Sequence, residues 1–205
     1  MTYPLIVFEG IDGAGKSTQI QRVAEWLRSR SIPVLCQKEP TDGPYGARIR
    51  QLAKQHIRLP LEEEYALFLT DRRWNRDEVL LPAFARGEVV LLDRYYYSTA
   101  AYQGIRGLNP ETVLAENEAF APKPLICFIF ELPVDVALQR ILAARGEGID
   151  AFEKRADLEA IDRVFSSLQR PEIVRVNAAQ SPVALFIEIC QHLTDKLLSI
   201  RSETP

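Results

Sequence analysis

Residues 5 to 18 read Leu-Ile-Val-Phe-Glu-Gly-Ile-Asp-Gly-Ala-Gly-Lys-Ser-Thr, and this stretch decides the fold. Its first four residues are apolar and predict a short buried strand. Residues 10 to 17 follow the spacing Gly-x-x-x-x-Gly-Lys-Ser, which is typical of a phosphate-binding loop. A helix is predicted from Thr18 to Arg30, and its positive N-terminal end would face a bound phosphate. Strand, loop and helix in this order predict an α/β domain that binds phosphate groups.

The residue types in the loop match what a phosphate chain requires. Glycines at positions 10, 13 and 15 allow positive φ angles and a close approach of the backbone to a ligand. The loop N–H groups can then form a nest for anions. Lys16 supplies positive charge for the β- and γ-phosphates, and Ser17 offers a hydroxyl to Mg²⁺. The nucleotide-binding residues predicted from this pattern are Gly10, Ile11, Asp12, Gly13, Ala14, Gly15, Lys16, Ser17 and Thr18. The alternative is a glycine-rich turn that binds nothing.

The composition restricts the class of protein. A chain of 205 residues with 47% apolar residues suits one α/β domain, here residues 1–205, with a single core. The net charge is −3, with lysines and arginines widely spread, so we expect neither a nucleic-acid groove nor a membrane-surface patch. No apolar run approaches the roughly 18 residues of a transmembrane helix. The first strand begins too early to leave room for a signal peptide.

The three cysteines, Cys36, Cys127 and Cys190, are widely spaced along the chain. Two of them fall in predicted strands and one in a predicted helix. We therefore expect core thiols in a reducing cytoplasm rather than disulfides or a metal site.

Predicted strands and helices alternate along the chain. The strands are predicted at 5–8, 33–38, 88–92, 125–132 and 172–176. The helices are predicted at 18–30, 45–56, 61–86 with a break near Pro82, 110–120, 133–145, 151–168 and 182–200. A Tyr-rich segment at 95–104 has no assigned element. Alternation of this kind predicts a five-stranded parallel sheet flanked by helices, with right-handed crossovers and strands covered on both faces.

Charged residues follow the ends of the predicted strands, where parallel sheets bind their ligands. Residues 89–93, Val-Val-Leu-Leu-Asp, have the form of a strand whose final carboxylate, Asp93, orders Mg²⁺ and its waters. The alternative is an Asp that serves only the turn. Arg94 could bind a phosphate with two parallel hydrogen bonds, or it could form a surface salt bridge. Glu39 ends the second strand in the same way.

At this point the chain resembles the thymidylate kinase family of nucleoside monophosphate kinases. The matching stretches are residues 8–18, Lys38-Glu-Pro40, Asp71-Arg72, Asp93-Arg-Tyr95, 98–104 and Phe152-Glu153. The resemblance covers nearly the whole chain and implies the P-loop NTPase three-layer sandwich, with a short lid at about 145–155. It also implies Mg²⁺-dependent, direct in-line transfer of the γ-phosphoryl of ATP to dTMP, giving dTDP. Proteins of this family usually form homodimers, so a homodimer is expected.

The resemblance further implies roles for single residues. Arg48 and Arg94 would hold the monophosphate, Phe68 would stack on thymine, and Arg72 would donate to its carbonyl edge. Tyr102 would crowd the 2′ position of the sugar. The full acceptor set implied in this way is Asp12, Glu39, Arg48, Phe68, Arg72, Arg94, Ser98, Tyr102 and Gln103. Each side chain also has a structural alternative: the two aromatic rings could pack in the core, and the arginines on helices could form a solvated face.

One departure from the family pattern concerns the positive charge that phosphoryl transfer needs. Some relatives carry an arginine in the loop, where this chain has Gly13, and others have a basic residue in the lid, where it has Ala151. Arg145 is the first candidate to replace them, although it also resembles the family arginine that packs over adenine. The other candidates are Arg140, Lys154 and Arg155. The predicted catalytic set is Lys16, Arg94, Asp12 and Arg145, with Ser17 and Asp93 at the metal.

Two rival functions stay open from the sequence. The first is a kinase for another nucleoside monophosphate or for a deoxynucleoside, with Glu39 as the base for a free 5′-hydroxyl. The second is a nucleotide-binding module that has lost turnover.

Overall fold

A computed structural model describes the backbone of residues 3–145 and 151–202 and the side chains of residues 3–143 and 155–196. Within these residues, five strands form one parallel sheet in the order β2-β3-β1-β4-β5. The strands are β1 Leu5–Glu9, β2 Val34–Lys38, β3 Val89–Asp93, β4 Ile126–Glu131 and β5 Ile173–Asn177. The prediction of a five-stranded parallel sheet is confirmed.

Helices connect the strands and cover the sheet. They are α1 Lys16–Arg28, α2 Pro44–Lys54, α3 Leu61–Asn75, α4 Leu81–Ala85, α5 Tyr96–Gly104, α6 Pro110–Glu118, α7 Val134–Arg145, α8 Ala151–Ser167 and α9 Pro182–Ser202. Asn109 caps α6, because its side chain accepts a hydrogen bond from the Thr112 N–H at 3.1 Å. None of the described helices is long and apolar enough to cross a membrane.

The register of the sheet brings the ends of three strands together. Phe8 of β1 lies beside Asp93 of β3, and Lys38 of β2 lies beside Asp93 on the other side. The central strands β1 and β4 are almost fully buried, since helices cover both of their faces. The loops that follow β1, β2 and β3 therefore leave the sheet side by side at the carboxyl ends of the strands, where the candidate site lies.

The second strand departs from the expectation that all strands are buried on both faces. It is one of the two edge strands of the sheet, and its residues are half-buried or exposed. The other edge strand, β5, is likewise mostly half-buried. Cys36 in this strand is exposed and Cys190 is only partly buried, whereas Cys127 is fully buried. The expectation of three core thiols was therefore wrong for Cys36. Residue type alone does not distinguish an edge strand from a central one.

Two helical segments also differ from the prediction. The long helix at 61–86 contains a π-helical turn at Arg76–Leu80, placed just ahead of Pro82, which has no N–H to donate. The Tyr-rich segment forms α5, which is buried on nearly all sides and so lacks the one-sided apolar pattern of a surface helix. Residues 146–150 of the predicted lid, and the side chains of Arg145 and residues 151–154, lie outside the described residues.

Candidate functional site

The phosphate-loop glycines have the backbone angles that the pattern predicts. Gly10 and Gly13 have φ angles of +129° and +81°. A Cβ atom at Gly10 would lie 2.8 Å from the Phe130 carbonyl oxygen, and one at Gly13 would lie 2.8 Å from that of Ala137. These two positions therefore require glycine for space as well as for conformation.

Lys16 is held inside the loop. Its ammonium donates to the carbonyl oxygens of Gly10 and Ile11, both at 3.0 Å, and the residue is only 6% exposed. Burial lowers the pKa of Lys16 to about 8, and the positive charge of Arg94 adds to this shift. Lys16 is thus a buried cation at the first position of α1, enclosed by the loop that precedes it.

Ser17 and Asp93 form the candidate metal position. The Ser17 hydroxyl donates to Oδ2 of Asp93 at 3.0 Å, which links the start of α1 to the end of β3. Among the described residues, no group of three or more His, Cys, Asp or Glu side chains converges on a metal position. A hydroxyl and one carboxylate suit Mg²⁺, which takes hard oxygen ligands and keeps several of its waters or phosphate oxygens. The donor set therefore fits the predicted ion.

Asp12 and Arg94 form an ion pair across the loop. Nη2 of Arg94 lies 2.6 Å from Oδ1 of Asp12, and its Nη1 donates to the Ser98 hydroxyl at 3.0 Å. The guanidinium lies over the ring of Tyr102, 5.1 Å from its centroid. Burial raises the pKa of Tyr102 to about 12, so its phenol stays protonated at neutral pH. Arg94 thus contacts three other residues of the predicted acceptor set.

Glu9 belongs to the same cluster, although the sequence analysis assigned it no role. It is fully buried at the end of β1 and accepts hydrogen bonds from the Tyr95 N–H, the Ser98 N–H and the Ser98 hydroxyl. Burial raises the pKa of Glu9 to about 7, although these hydrogen bonds and Arg94 act in the opposite direction. A glutamate inside an otherwise apolar strand end was the available signal, since such a residue is seldom fully buried without partners.

Glu39 and Arg72 form a second, buried pair. Nη2 and Nε of Arg72 donate to Oε2 of Glu39 at 2.6 and 2.9 Å, and Asn75 donates to Oε1 at 3.0 Å. The guanidinium also donates to Asn117 and Thr99, and Arg72 is 1% exposed. Burial raises the pKa of Glu39, and Arg72 opposes that shift. Arg72 is therefore held by protein groups, and its contact with a base stays a prediction.

The two arginines of α2 point to different surroundings. Arg48 is exposed and donates to Gln51 on its own helix at 3.2 Å. Arg50 instead donates to the Pro40 carbonyl at 2.8 Å and lies 3.0 Å from the Asp42 carboxylate. Arg50, rather than Arg48, thus contacts the loop that leaves β2. The predicted phosphate contact of Arg48 stays a prediction.

The loop after β2 has an anchor to which the sequence analysis assigned no role. Asp71 of α3 is buried and accepts hydrogen bonds from the N–H and the hydroxyl of Thr41 at 2.8 and 2.6 Å. The adjacent Gly46 must be glycine, since any Cβ there would clash with the Thr41 carbonyl oxygen. The Asp71-Arg72 pair was the signal, because one member holds this loop and the other holds Glu39.

The remaining acceptor residues lie on α3 and α5. Phe68 is half-buried and is not among the described side chains that pack against the main core, which leaves part of its ring available to a ligand. Gln103 is buried, and its amide donates to Glu64 of α3 at 3.1 Å. The structure therefore connects Gln103 to the helix that carries Phe68.

The candidate replacement cations have different surroundings. The side chains of Arg145 and Lys154 lie outside the described residues, and Arg155 pairs with Asp135 and Glu159. Arg140 of α7 donates to the Gly13 carbonyl at 3.2 Å and to the Ala178 carbonyl at 3.5 Å. Among the candidate cations whose side chains are described, Arg140 therefore contacts the phosphate loop.

A surface cleft of about 550 Å³ lies away from this cluster, beside the start of β5. Its lining includes Arg170 and Arg175, and both guanidinium groups are already paired with carboxylates. Because the cleft is at the amino end of the strand, we do not assign it to the site, which forms at the carboxyl ends.

Comparison with known proteins identifies the family of the chain. A family profile described as thymidylate kinase matches residues 8–189. A thymidylate kinase of Desulfotalea psychrophila is 47% identical over 177 residues, which cover 86% of this chain and 87% of the relative. A thymidylate kinase of Akkermansia muciniphila is 49% identical over 174 residues, or 85% of this chain and 83% of the relative. One from Xanthomonas euvesicatoria pv. vesicatoria is 44% identical over 167 residues, or 82% and 73%. With these matches spanning most of its length, the chain belongs to the thymidylate kinase family.

Proposed function

We propose that this protein transfers the γ-phosphoryl group of ATP to dTMP and so produces dTDP. The observation that carries the proposal is the proximity of two charged groups on one loop. Lys16 lies inside the phosphate loop, and Asp12 of the same loop pairs with Arg94. A donor phosphate bound by the loop and an acceptor phosphate bound by Arg94 would therefore be close neighbours. Membership of the thymidylate kinase family supports dTMP as the acceptor.

The donor end of the site uses the loop and the start of α1. The N–H groups of the loop and the Lys16 ammonium would bind the β- and γ-phosphates of ATP. Ser17 and Asp93 would hold Mg²⁺, which when bound neutralises phosphate charge that develops during transfer. To reach a phosphate, the Lys16 ammonium must give up its hydrogen bonds to the Gly10 and Ile11 carbonyls. A charge-assisted ion pair with the phosphate would replace them.

The acceptor end uses the cluster around Arg94. We expect Arg94 to bind the dTMP phosphate while Asp12 and Ser98 hold its guanidinium in place. Phe68 and Tyr102 would bound the space for the base and the sugar. With both substrates held in line, positioning and charge neutralisation account for transfer, and no covalent phosphoenzyme is required.

We also propose that the chain acts as a homodimer in the cytoplasm, with 145–155 as a short lid. The family resemblance supports the dimer and the lid, and a role in nucleotide synthesis supports the location. Light scattering after size-exclusion chromatography measures the mass of the assembly, and a mass near 23.3 kDa would indicate a monomer instead.

A coupled assay that detects ADP tests the proposed function. The purified chain is supplied with ATP, Mg²⁺ and one of five acceptors: dTMP, dUMP, UMP, CMP or thymidine. We expect the highest kcat/KM with dTMP. Faster turnover of another monophosphate or of thymidine would assign a different acceptor, and ATP binding without transfer to any acceptor would indicate a module that has lost turnover.

A further inference from the structure

Glu9 is a buried carboxylate with three hydrogen-bond donors around it. It is 0% exposed, and its Oε1 accepts from the N–H groups of Tyr95 and Ser98 at 2.7 and 3.1 Å. Its Oε2 accepts from the Ser98 hydroxyl at 2.5 Å. All three donors belong to the turn that follows β3 or to the first turn of α5. Glu9 therefore joins the end of β1 to the segment that carries Arg94.

The backbone of Arg94 is held on both sides by the end of β1. Arg94 has a φ angle of +68°, a conformation that a residue with a Cβ rarely adopts. Its own N–H donates to the Phe8 carbonyl at 3.0 Å, and the next N–H, that of Tyr95, donates to Glu9. Because the amides before and after the Arg94 side chain both have fixed partners, the direction in which that side chain leaves the backbone is set.

The side chain of Arg94 is linked to Glu9 through one hydroxyl group. Nη1 of Arg94 donates to the Ser98 Oγ at 3.0 Å, and Ser98 gives its single hydroxyl proton to Glu9. A hydroxyl has one proton and two lone pairs, so a carboxylate that takes the proton leaves a lone pair for the arginine. The remaining end of the guanidinium, Nη2, pairs with Asp12 at 2.6 Å.

We propose that Glu9 is a positioning residue that orients the Ser98 hydroxyl and the Arg94 backbone, and thereby places the guanidinium that binds the acceptor phosphate. The inference rests on the proposed role of Arg94 in acceptor binding. The competing explanation is that Glu9 only caps the N-terminus of α5, in which case its loss would reduce stability without a specific effect on the acceptor.

The substitution Glu9→Gln separates these two explanations. The amide oxygen can still accept the Tyr95 and Ser98 N–H groups, so the helix cap is retained. The amide nitrogen, however, donates to Ser98 Oγ and turns the hydroxyl proton towards Arg94. At pH 8 we expect the KM for dTMP to rise about tenfold, the typical effect of losing a hydrogen bond to a charged group, with a smaller change in the KM for ATP.

A double-mutant cycle with Ser98→Ala tests the hydroxyl link. If Glu9 acts through Ser98, the double variant has the same KM for dTMP as Ser98→Ala alone, to within about twofold. Independent effects would instead multiply. Multiplied effects, or a Glu9→Gln variant with unchanged KM for dTMP, would overturn the proposal.

Glu172→Gln is the matched control. Glu172 is also buried and accepts a hydrogen bond from the Tyr97 hydroxyl at 2.7 Å, but it has no contact with Arg94 among the described interactions. We expect this variant to change thermal stability and neither KM; a selective rise in its KM for dTMP would count against a specific role of Glu9. Arg94→Ala tests the underlying assignment, because an unchanged KM for dTMP there would reject the acceptor role of Arg94 itself.

Discussion

At the scale of single residues, the site is a set of charges that are already paired in the protein. Arg94 is paired with Asp12 and Lys16 with two loop carbonyls. Arg94, which Asp12 and Ser98 hold in place, needs little reorganisation when a phosphate arrives, and such preorganisation is the usual source of electrostatic catalysis. Lys16 instead exchanges its two carbonyl partners for the phosphate. Because each charge has its own partners, we expect a substitution to affect mainly the step in which that charge takes part, either substrate binding or phosphoryl transfer.

Lys16→Ala should abolish transfer without unfolding the chain. Lys16 supplies the ammonium group of the phosphate loop. Without its contact to the charge that develops in the transition state, kcat should fall by about a hundredfold or more. Stability should be retained, since the substitution removes a cation whose pKa is lowered by burial. Steady-state kinetics and thermal unfolding measure the two effects, and near-normal turnover would reject the role.

Tyr102→Ala should narrow the preference for dTMP over the corresponding ribonucleotide, because the ring would no longer crowd a 2′-hydroxyl. The ring also lies under the Arg94 guanidinium, so dTMP binding should weaken as well. Tyr102→Phe keeps the ring and is the control for both effects. An unchanged ratio of the two kcat/KM values in the alanine variant would mean that the ring only packs.

At the scale of secondary structure, the strands and the phosphate loop could be predicted because their signals are local. A run of four apolar residues before a glycine-rich loop predicted the ends of β1 to within one residue and those of α1 to within two. The exposure of β2 could not be predicted, since it depends on the strand order. Helix α5 was missed because a helix buried on all sides has no amphipathic period.

The site was predictable to the same extent and for the same reason. The clustering of residues next to strand ends, such as Asp12, Asp93 and Arg94, was predicted from the chain alone, and the structure brings their side chains to one place. Their roles stay predictions. The pairing of Glu39 with Arg72 was not found, because its two members are 33 residues apart and meet only through packing of α3.

Helix α7 is packed directly onto the phosphate loop, and this explains why position 13 is a glycine rather than an arginine. A Cβ at Gly13 would lie 2.8 Å from the Ala137 carbonyl oxygen and 3.3 Å from Ile141 of α7. The arginine that some relatives carry at this position would therefore not fit here without moving α7.

Gly13→Ala tests this packing, with Gly15→Ala as the control. Both glycines have positive φ angles, +81° and +89°, but a Cβ at Gly15 would meet no atom within 4 Å. Both variants should lose about 1 to 2 kcal/mol from backbone strain, and Gly13→Ala should lose about 1 to 3 kcal/mol more from the clash. Urea unfolding measures both, and equal losses would show that α7 yields to the added methyl.

Arg145→Ala tests whether α7 supplies the positive charge that is missing at Gly13 and Ala151. Arg145 is the last residue of α7, the helix that touches the loop through Arg140. An arginine used in the transition state should lower kcat, by about a thousandfold at the upper end, whereas one that packs on adenine should raise the KM for ATP and spare kcat. We expect the loss in kcat; a rise confined to the KM for ATP would move the assignment to another cation.

At the scale of the whole molecule, folding buries several carboxyl groups at the candidate site. Glu9 and Glu39 are both almost fully buried, and burial raises the pKa of each. The charges that organise the site therefore reduce stability at neutral pH, and the remainder of the core offsets that cost. Such a trade between stability and a prearranged site is common in enzymes.

The pH dependence of stability should report the burial of Glu9. Its pKa is about 7 in the folded state against 4.5 for the ordinary group, so between these values the folded protein keeps a proton that the unfolded chain releases. The stabilisation from this proton is fully present below pH 4.5 and is lost as the pH rises through about 7. The Glu9→Gln variant cannot titrate at this position and so lacks this pH-dependent stabilisation. The free energy of unfolding of the unsubstituted protein, relative to that of the variant, should therefore fall by about 2 kcal/mol between pH 5 and pH 7.5. Urea unfolding at the two pH values measures it; a difference that stays constant, or one that grows with pH, would mean that Glu9 is ionised in the folded protein throughout this range.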